Sequence, residues 1–259
     1  MIAAGCIEQT MTTAQQYDVF STDYHWLYSD HTLSGKRALD DNGDVLALAD
    51  PKTSILDCSC GIGTFAIALA KAGYHVSGSD GSWGMVDAAI LAARHADIDL
   101  PVKCCVWANL PDHFTSQFDL IFCLGNSIGH VRGEEEMMRS LRGMRQVLRD
   151  GGKLVIESLN WEQVRKEKTR FTHFEWRDRA GQRCLPIYVW TFPGSFDEAH
   201  TIDVLLVFET AAKASIRSYP IVYYPFHQEA LKERLRCSGF GETRITFSED
   251  QRAYRVIAS

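Results

Sequence analysis

The chain has 259 residues, 46% of them hydrophobic and 23% charged, which suits one large α/β domain with a real core. Its 27 basic against 33 acidic side chains give a formal charge of −6, and the densest basic run (Arg165-Lys166-Glu167-Lys168-Thr169-Arg170) is short and broken by an acid. These features exclude the basic stripe of a nucleic-acid binder, and no apolar run reaches the roughly 18 residues of a membrane span. Neither nucleic acid nor membrane is expected as a partner.

Residues 1–16 lack the charged start and apolar stretch of a signal peptide and read as a disordered extension. Residues 17–50 carry Tyr17, Phe20, Tyr24, Trp26, Leu27 and Tyr28, a density of aromatics that reads as a helical lid, or as a helix docked on the core. Such a lid can reach into a neighbouring subunit, which leaves a homo-oligomer open. Residues 51–160 alternate strand and helix signals: strands at 54–58, 74–80, 102–106, 118–124 and 153–157, helices at 64–72, 83–96 and 134–148. Near-continuous apolar strands between helices imply a parallel sheet covered on both faces. Residues 161–226 change character. Segments 172–177, 186–192, 201–209 and 215–224 are β-rich and split by turn signals, as in an antiparallel insertion on the substrate side. A helix at 227–237 and strands at 242–247 and 253–258 complete the core sheet. The expected fold is α/β: a doubly wound, mostly parallel seven-stranded sheet with a small antiparallel insertion and an N-terminal helical lid.

Eight cysteines, at 6, 58, 60, 104, 105, 123, 184 and 237, form no Cys-x-x-Cys pair, and most lie in apolar strands where a free thiol acts as a small hydrophobe. No metal is expected, and the chain reads as a reduced, cytoplasmic protein.

The most informative stretch is Leu56-Asp57-Cys58-Ser59-Cys60-Gly61-Ile62-Gly63-Thr64, which leaves the first strand and enters a helix. Gly61 and Gly63 let the backbone turn sharply and approach a ligand, and the helix N-terminus offers free N–H groups. Asp80 closes the second strand about 20 residues beyond Gly61, where an acid reads ribose hydroxyls. Strand, turn, helix, strand and terminal acid together imply a nucleoside site. A dinucleotide suits the turn equally well, with Ala66 at the third glycine position, but the β-rich insertion replaces the second mononucleotide half.

The turn resembles the first motif of class I methyltransferases. Cys123-Leu124-Gly125-Asn126-Ser127-Ile128-Gly129-His130 is similar to the corresponding segment of the glycine and sarcosine N-methyltransferases, as are Gln16-Tyr17, Leu27-Tyr28-Ser29-Asp30, Ser79-Asp80-Gly81-Ser82, Ala108-Asn109 and Tyr223-Tyr224-Pro225. The Cys60-Gly61-Ile62-Gly63-Thr64 turn and the Tyr24-x-x-x-Tyr28 spacing also resemble N-methyltransferases of lincosamide assembly. The resemblance implies S-adenosyl-L-methionine as cofactor and a small-molecule amine as substrate. Ser59 and Gly61 would line its methionine part, and Asp80 would hold the ribose diol, with Gly81, Ser82 and Met85 beside the adenosine. Asn109 would meet the adenine edge and Leu110 cover its face, while Leu124 would lie under the cofactor. Tyr17 and Tyr28 would close the lid, and Lys36 or Arg37 would pair with the cofactor carboxylate.

Two departures from the family matter. Its tryptophan after the Ala-Asn pair is Leu110 here, and its arginine after the fifth strand, which grips an amino-acid carboxylate, is Leu159. Free glycine is therefore not the expected acceptor unless Arg217 or Lys213 supplies the cation. Methyl transfer is an in-line displacement that depends on alignment more than on a strong base. Asn126 can orient an N–H, Tyr17 and Tyr223 supply phenol oxygens, and His130 either accepts the amine proton or merely holds the backbone. An oxygen or carbon acceptor keeps the same fold and would make a base more important. A nicotinamide-dependent oxidoreductase stands as a further reading.

Overall fold

The computed structural model describes residues 11–50, 52–115, 117–210 and 213–259. The first ten residues of the expected extension lie outside these. Residues 13–16, also assigned to it, instead form the first turn of α1 (Thr13–Phe20), where Thr12 and Gln15 close a reciprocal capping box. A 3₁₀ turn (Tyr24–Leu27) and the short helices α2 (Asp30–Leu33), α3 (Lys36–Asp41) and α4 (Gly43–Leu46) follow.

The core then alternates β1 (Ser54–Asp57), α5 (Thr64–Lys71), β2 (His75–Asp80), α6 (Trp83–His95), β3 (Val102–Cys104), a 3₁₀ turn (Trp107–Asn109), α7 (Leu110–His113) and β4 (Phe118–Cys123). A further 3₁₀ turn (Ser127–His130) leads to α8 (Gly133–Val147) and β5 (Leu148–Leu159). The expected helix end at Asp150-Gly151-Gly152 is instead part of β5, which begins at once after α8. The pairing register with β4 shifts between Phe118 and Leu120, so the glycines serve a bulge. The chain continues through α9 (Trp161–Glu167), β6 (Phe171–His173), β7 (Arg177–Arg179), β8 (Gln182–Thr191), β9 (His200–Glu209), β10 (Ala214–Tyr223), α10 (Gln228–Cys237), β11 (Thr243–Phe247) and β12 (Ala253–Ala258).

Seven strands form one sheet in the order β11-β12-β5-β4-β1-β2-β3. β1 pairs in parallel with β2 and β4, β2 with β3 and β4 with β5, whereas β12 runs antiparallel to both of its neighbours, β5 and β11. Ile55, Leu56, Ile121, Phe122, Val155 and Ile156 are wholly buried because helices cover both faces. Val45, Phe65 and Leu69 pack on one side, and Met137, Leu141, Met144 and Leu231 on the other. The chain order reverses between β1 and β4, so a crevice opens at their C-terminal ends, where such sheets bind ligands.

The insertion is a second sheet, β10-β9-β8-β6, with β7 also on β8. The segment expected as one strand over 172–177 divides into β6 and β7, and Arg179 to Gln182 turn through Ala180 and Gly181, both with positive φ. One face of this sheet, with Trp190, Ile202, Val204, Leu206, Phe208 and Ile221, joins the core beneath the lid. Among the described residues, no helix is long and apolar enough to cross a membrane.

Candidate active site

The turn after β1 is held by the loops around it. Cys60 N–H donates to the Ser79 carbonyl (2.9 Å), and the Ser59 hydroxyl accepts from Leu124 N–H (3.1 Å), tying β1 to the loop after β4. Asp80 accepts from Gly61 N–H through Oδ2 (2.9 Å) and from Ser82 N–H through Oδ1 (3.0 Å). A carboxylate has about four lone-pair sites, so each oxygen keeps one for a ligand. Burial pushes its pKa up against the pull of these amides. Asp57, at the end of β1, is raised to about 7, chiefly by burial. Gly61 and Gly63 both have positive φ, but only Gly61 lines the cleft. A Cβ on Gly63 would lie 3.1 Å from that of Ala89, so this glycine lets α5 approach α6 and has no place on the ligand wall.

The N-terminal helical segment, the expected lid, is pinned from two sides. Asp18, next to Tyr17 on α1, accepts through Oδ1 from the Ser82 hydroxyl (2.6 Å) and Gly84 N–H (2.9 Å) at the start of α6. From the insertion, Arg179 donates to the His25 and Tyr28 carbonyls (both 2.6 Å), and Arg217 pairs with buried Asp23 (2.7 Å). The Arg217 guanidinium is thus committed. Lys213 is exposed in the turn before β10, and neither residue lines the cleft.

At the lid end of the crevice five phenols converge. The Tyr24 and Tyr28 hydroxyls are 2.7 Å apart, and burial pushes the pKa of Tyr17, Tyr24, Tyr28 and Tyr188 up. Tyr223 is raised to about 12 by burial, with Tyr17 and Asn126 opposing the rise. His130 stacks on Tyr223 with ring centroids 4.4 Å apart. Its Nδ1 lies 2.8 Å from the Val222 carbonyl, which can only accept, so Nδ1 carries the hydrogen. Nε2 is therefore the acceptor for the Tyr17 hydroxyl at 2.9 Å. Burial lowers the His130 pKa to about 4. With both nitrogens engaged, His130 has none free to take a proton directly from an amine, which favours the second of its two expected roles, that of holding the backbone. It also fixes Tyr17, and commits that residue's proton so that the phenol oxygen offers only lone pairs.

Asn126 takes a left-handed conformation (φ 61°), and its Oδ1 accepts from Leu159 N–H (2.9 Å). Its buried Nδ2 has no hydrogen-bond partner. The residue stands just behind the cleft wall, as does Tyr223.

The cleft has a volume of about 1120 Å³. Tyr17, Tyr28, Arg37, Ser59, Gly61, Asp80, Gly81, Ser82, Met85, Asn109, Leu124 and His130 all line it. Leu110 does not: it is wholly buried against the core, so the expected cover for adenine is wrong. Val106 and Trp107 line this end instead, Trp107 fixed by its indole N–H on the Cys58 carbonyl (2.7 Å). Of the two lid cations, Arg37 lines the cleft and lies 3.4 Å from Asp41, whereas Lys36 is paired with Asp40 away from it. Sequence reasoning also missed Asp18, Asp57 and Tyr188. Asp57 was legible as an acid ending a strand; Asp18 and Tyr188 carry no local signal.

Residues 55–152 match the family described as "Methyltransferase domain". The chain is 31% identical over 137 residues to a glycine/sarcosine N-methyltransferase of Aphanothece halophytica, an alignment covering 52% of this chain and 51% of that protein. That stretch is thus similar to a methyltransferase domain, and the chain shares the fold of a solved S-adenosylmethionine-dependent methyltransferase from Clostridium acetobutylicum (TM-score 0.72 at 14% identity, covering 94% of this chain and 98% of that one). The chain spans about half the length of the curated relatives it matches. Two further solved structures share the fold over nearly the whole chain. A sugar N-methyltransferase from Streptoalloteichus has a TM-score of 0.69 at 19% identity, covering 99% of this chain and 98% of that one. An amino pentose methyltransferase of calicheamicin biosynthesis from Micromonospora echinaspora, solved with S-adenosylmethionine bound, has a TM-score of 0.71 at 17% identity, covering 93% and 97%. At these identities the likeness speaks for the fold, and in the methyltransferase domain that fold sets the cleft at the reversal point between β1 and β4.

Proposed function

We propose that this chain transfers the methyl group of S-adenosylmethionine to the nitrogen of a small-molecule amine that bears no carboxylate beside it. The residues fit the cofactor: Asp80 keeps two lone pairs for a ribose diol, Asn109 suits the adenine edge, and Met85 and Val106 supply apolar flanks. Ser59, Gly61 and Leu124 line the stretch toward the phenols, where Arg37 and the N-terminus of α5 suit a carboxylate. When bound, the cofactor supplies an electrophilic methyl group.

The observation that carries the amine reading is the Tyr17 oxygen. Its proton is held by His130, so it accepts a hydrogen bond from an N–H and turns the nitrogen lone pair toward the cofactor end of the cleft. The neighbouring phenols and aromatic faces favour a cationic group and exclude water. Where the resembling family has the arginine that grips a carboxylate, this chain has Leu159, and Arg217 is paired with Asp23. Methyl transfer with labelled S-adenosylmethionine, run against amines in carboxylated and decarboxylated pairs, tests the reading. Label should enter the decarboxylated member preferentially; equal or preferred labelling of glycine or sarcosine would refute it. Protection of Asp80 variants by S-adenosylhomocysteine would test the cofactor assignments separately. By the same account the chain works as a small-molecule enzyme in the cytoplasm.

A further inference from the structure

The cleft does not end at the phenols. Its volume of about 1120 Å³ exceeds the roughly 300–1,000 Å³ usual for one small ligand. It continues as an arm between α3 and the hairpin of β11 and β12, walled by Arg37, Asp41, Glu157, Phe247 and Arg255. Glu157 stands near the end of β5, where its Oε2 accepts from Gly125 N–H at 3.2 Å. Among the described residues its other oxygen has no partner. The phenol of Tyr28, raised mainly by burial, also feels the charge of Glu157, so this carboxylate borders the aromatic end of the cleft.

Both arginines of the arm are engaged elsewhere. Arg255 lies directly opposite Glu157 in the register of β12 on β5, so the two side chains leave the sheet on the same side. An ion pair between them would be the ordinary outcome. The Arg255 guanidinium turns instead to Asp44 (2.8 Å) and the Asp41 carbonyl. Arg37 pairs with Asp41 at 3.4 Å. At the hairpin tip Glu249 and Asp250 add negative charge, Asp250 holding the Ser248 hydroxyl (2.6 Å) and Arg252 N–H (3.0 Å). The arm is therefore negative along its length, with Ala38, Phe247 and Ala253 as apolar wall between the charges.

We propose that Glu157 selects the acceptor by receiving a second positive charge at its far end, which makes the substrate class a diamine. One nitrogen is methylated beside Tyr17, and the other is held as an ammonium on the unpartnered Glu157 oxygen. This rests on the N-methylation reading above and adds to it the other end of the substrate. A carboxylate accepting from an ammonium forms a short, charge-assisted hydrogen bond, and the apolar wall suits the methylenes between the two nitrogens. The same field repels a carboxylate carried by the acceptor, in keeping with the preference for amines that lack one.

Calorimetric titration of the protein saturated with S-adenosylhomocysteine tests this without requiring turnover. Linear diamines of three to five carbons are compared with monoamines and amino alcohols of the same length. At least one diamine should bind about tenfold or more tightly than its monoamine. Glu157→Gln, its folding checked by circular dichroism, should bring that ratio to within about twofold, and Glu157→Asp should keep part of it. S-adenosylhomocysteine affinity should stay within about threefold in Glu157→Gln. Diamines that bind no tighter than monoamines overturn the proposal, as does a ratio unchanged in folded Glu157→Gln. An amino alcohol that binds as tightly as the diamine also overturns it. So does S-adenosylhomocysteine bound more than about tenfold more weakly by Glu157→Gln, because the carboxylate would then serve the cofactor's own ammonium. Labelled transfer run alongside separates the two readings. A diamine preference without label transfer supports the cation site and refutes N-methylation, whereas equal binding and labelling of monoamine and diamine refutes the cation site alone.

Discussion

Replacing Asp18 should release the lid. A single carboxylate oxygen collects the Ser82 hydroxyl at 2.6 Å and Gly84 N–H at 2.9 Å, and it does so at the N-terminus of α6, where negative charge is favoured. Hydrogen bonds to a charged group contribute about 1.5–3 kcal/mol each, but in this half-buried seam water recovers part of the loss in Asp18→Ala. A net loss of about 2 kcal/mol corresponds to roughly a 30-fold change in the opening equilibrium of α1. The opening is local, because the strands beneath have their own core. Amides of residues 13–20 should therefore exchange about 30-fold faster, while those of β1 and β4 keep their protection. Because Tyr17 adjoins Asp18, kcat/KM should fall by up to about the same factor. Asp18→Asn retains an acceptor oxygen and should fall between the two. Unchanged exchange in residues 13–20 of a folded Asp18→Ala protein would refute the latch.

Gly84→Ala should reproduce the Asp18 phenotype by steric means, since its Cβ would stand 2.6 Å from Ser21 Oγ and 3.0 Å from the Asp18 backbone; exchange over residues 13–20 reports it. Tyr17→Phe should lower kcat more than about tenfold while S-adenosylhomocysteine affinity, measured by calorimetry, stays within about threefold, if the phenol oxygen receives the amine as proposed. His130 should make the protein acid-sensitive. Its folded pKa of about 4 lies below the unfolded value, so its contribution is present above about pH 6.5 and is lost as pH falls through 4. The shift is worth about 3 kcal/mol, and His130→Asn should flatten this part of the profile in denaturant melts at pH 7, 5.5 and 4.

The seven-stranded sheet was legible because its strands are buried on both faces and read as unbroken apolar runs. The Asp57–Thr64 turn and Asp80 were legible because backbone curvature and a terminal acid leave local marks. What escaped depended on partners distant in sequence. Leu110 follows Asn109 directly, yet α7 turns it into the core and leaves Val106 and Trp107 on the wall. His130 has a base-like position in sequence; only the Val222 carbonyl, 92 residues away, and the Tyr17 hydroxyl, 113 residues away, reveal that its nitrogens are used. Gly63 belongs to the motif, but its reason for being glycine is Ala89 on another helix.

Calorimetric titration of S-adenosylhomocysteine into the wild type and into Asp80→Ala is the most direct test of the nucleoside site on which the rest depends. Saturable one-site binding is expected in the wild type, weakened at least about tenfold in the variant by loss of one charged hydrogen bond or more. Equal affinity in the two proteins, or no binding to the folded wild type, would contradict it.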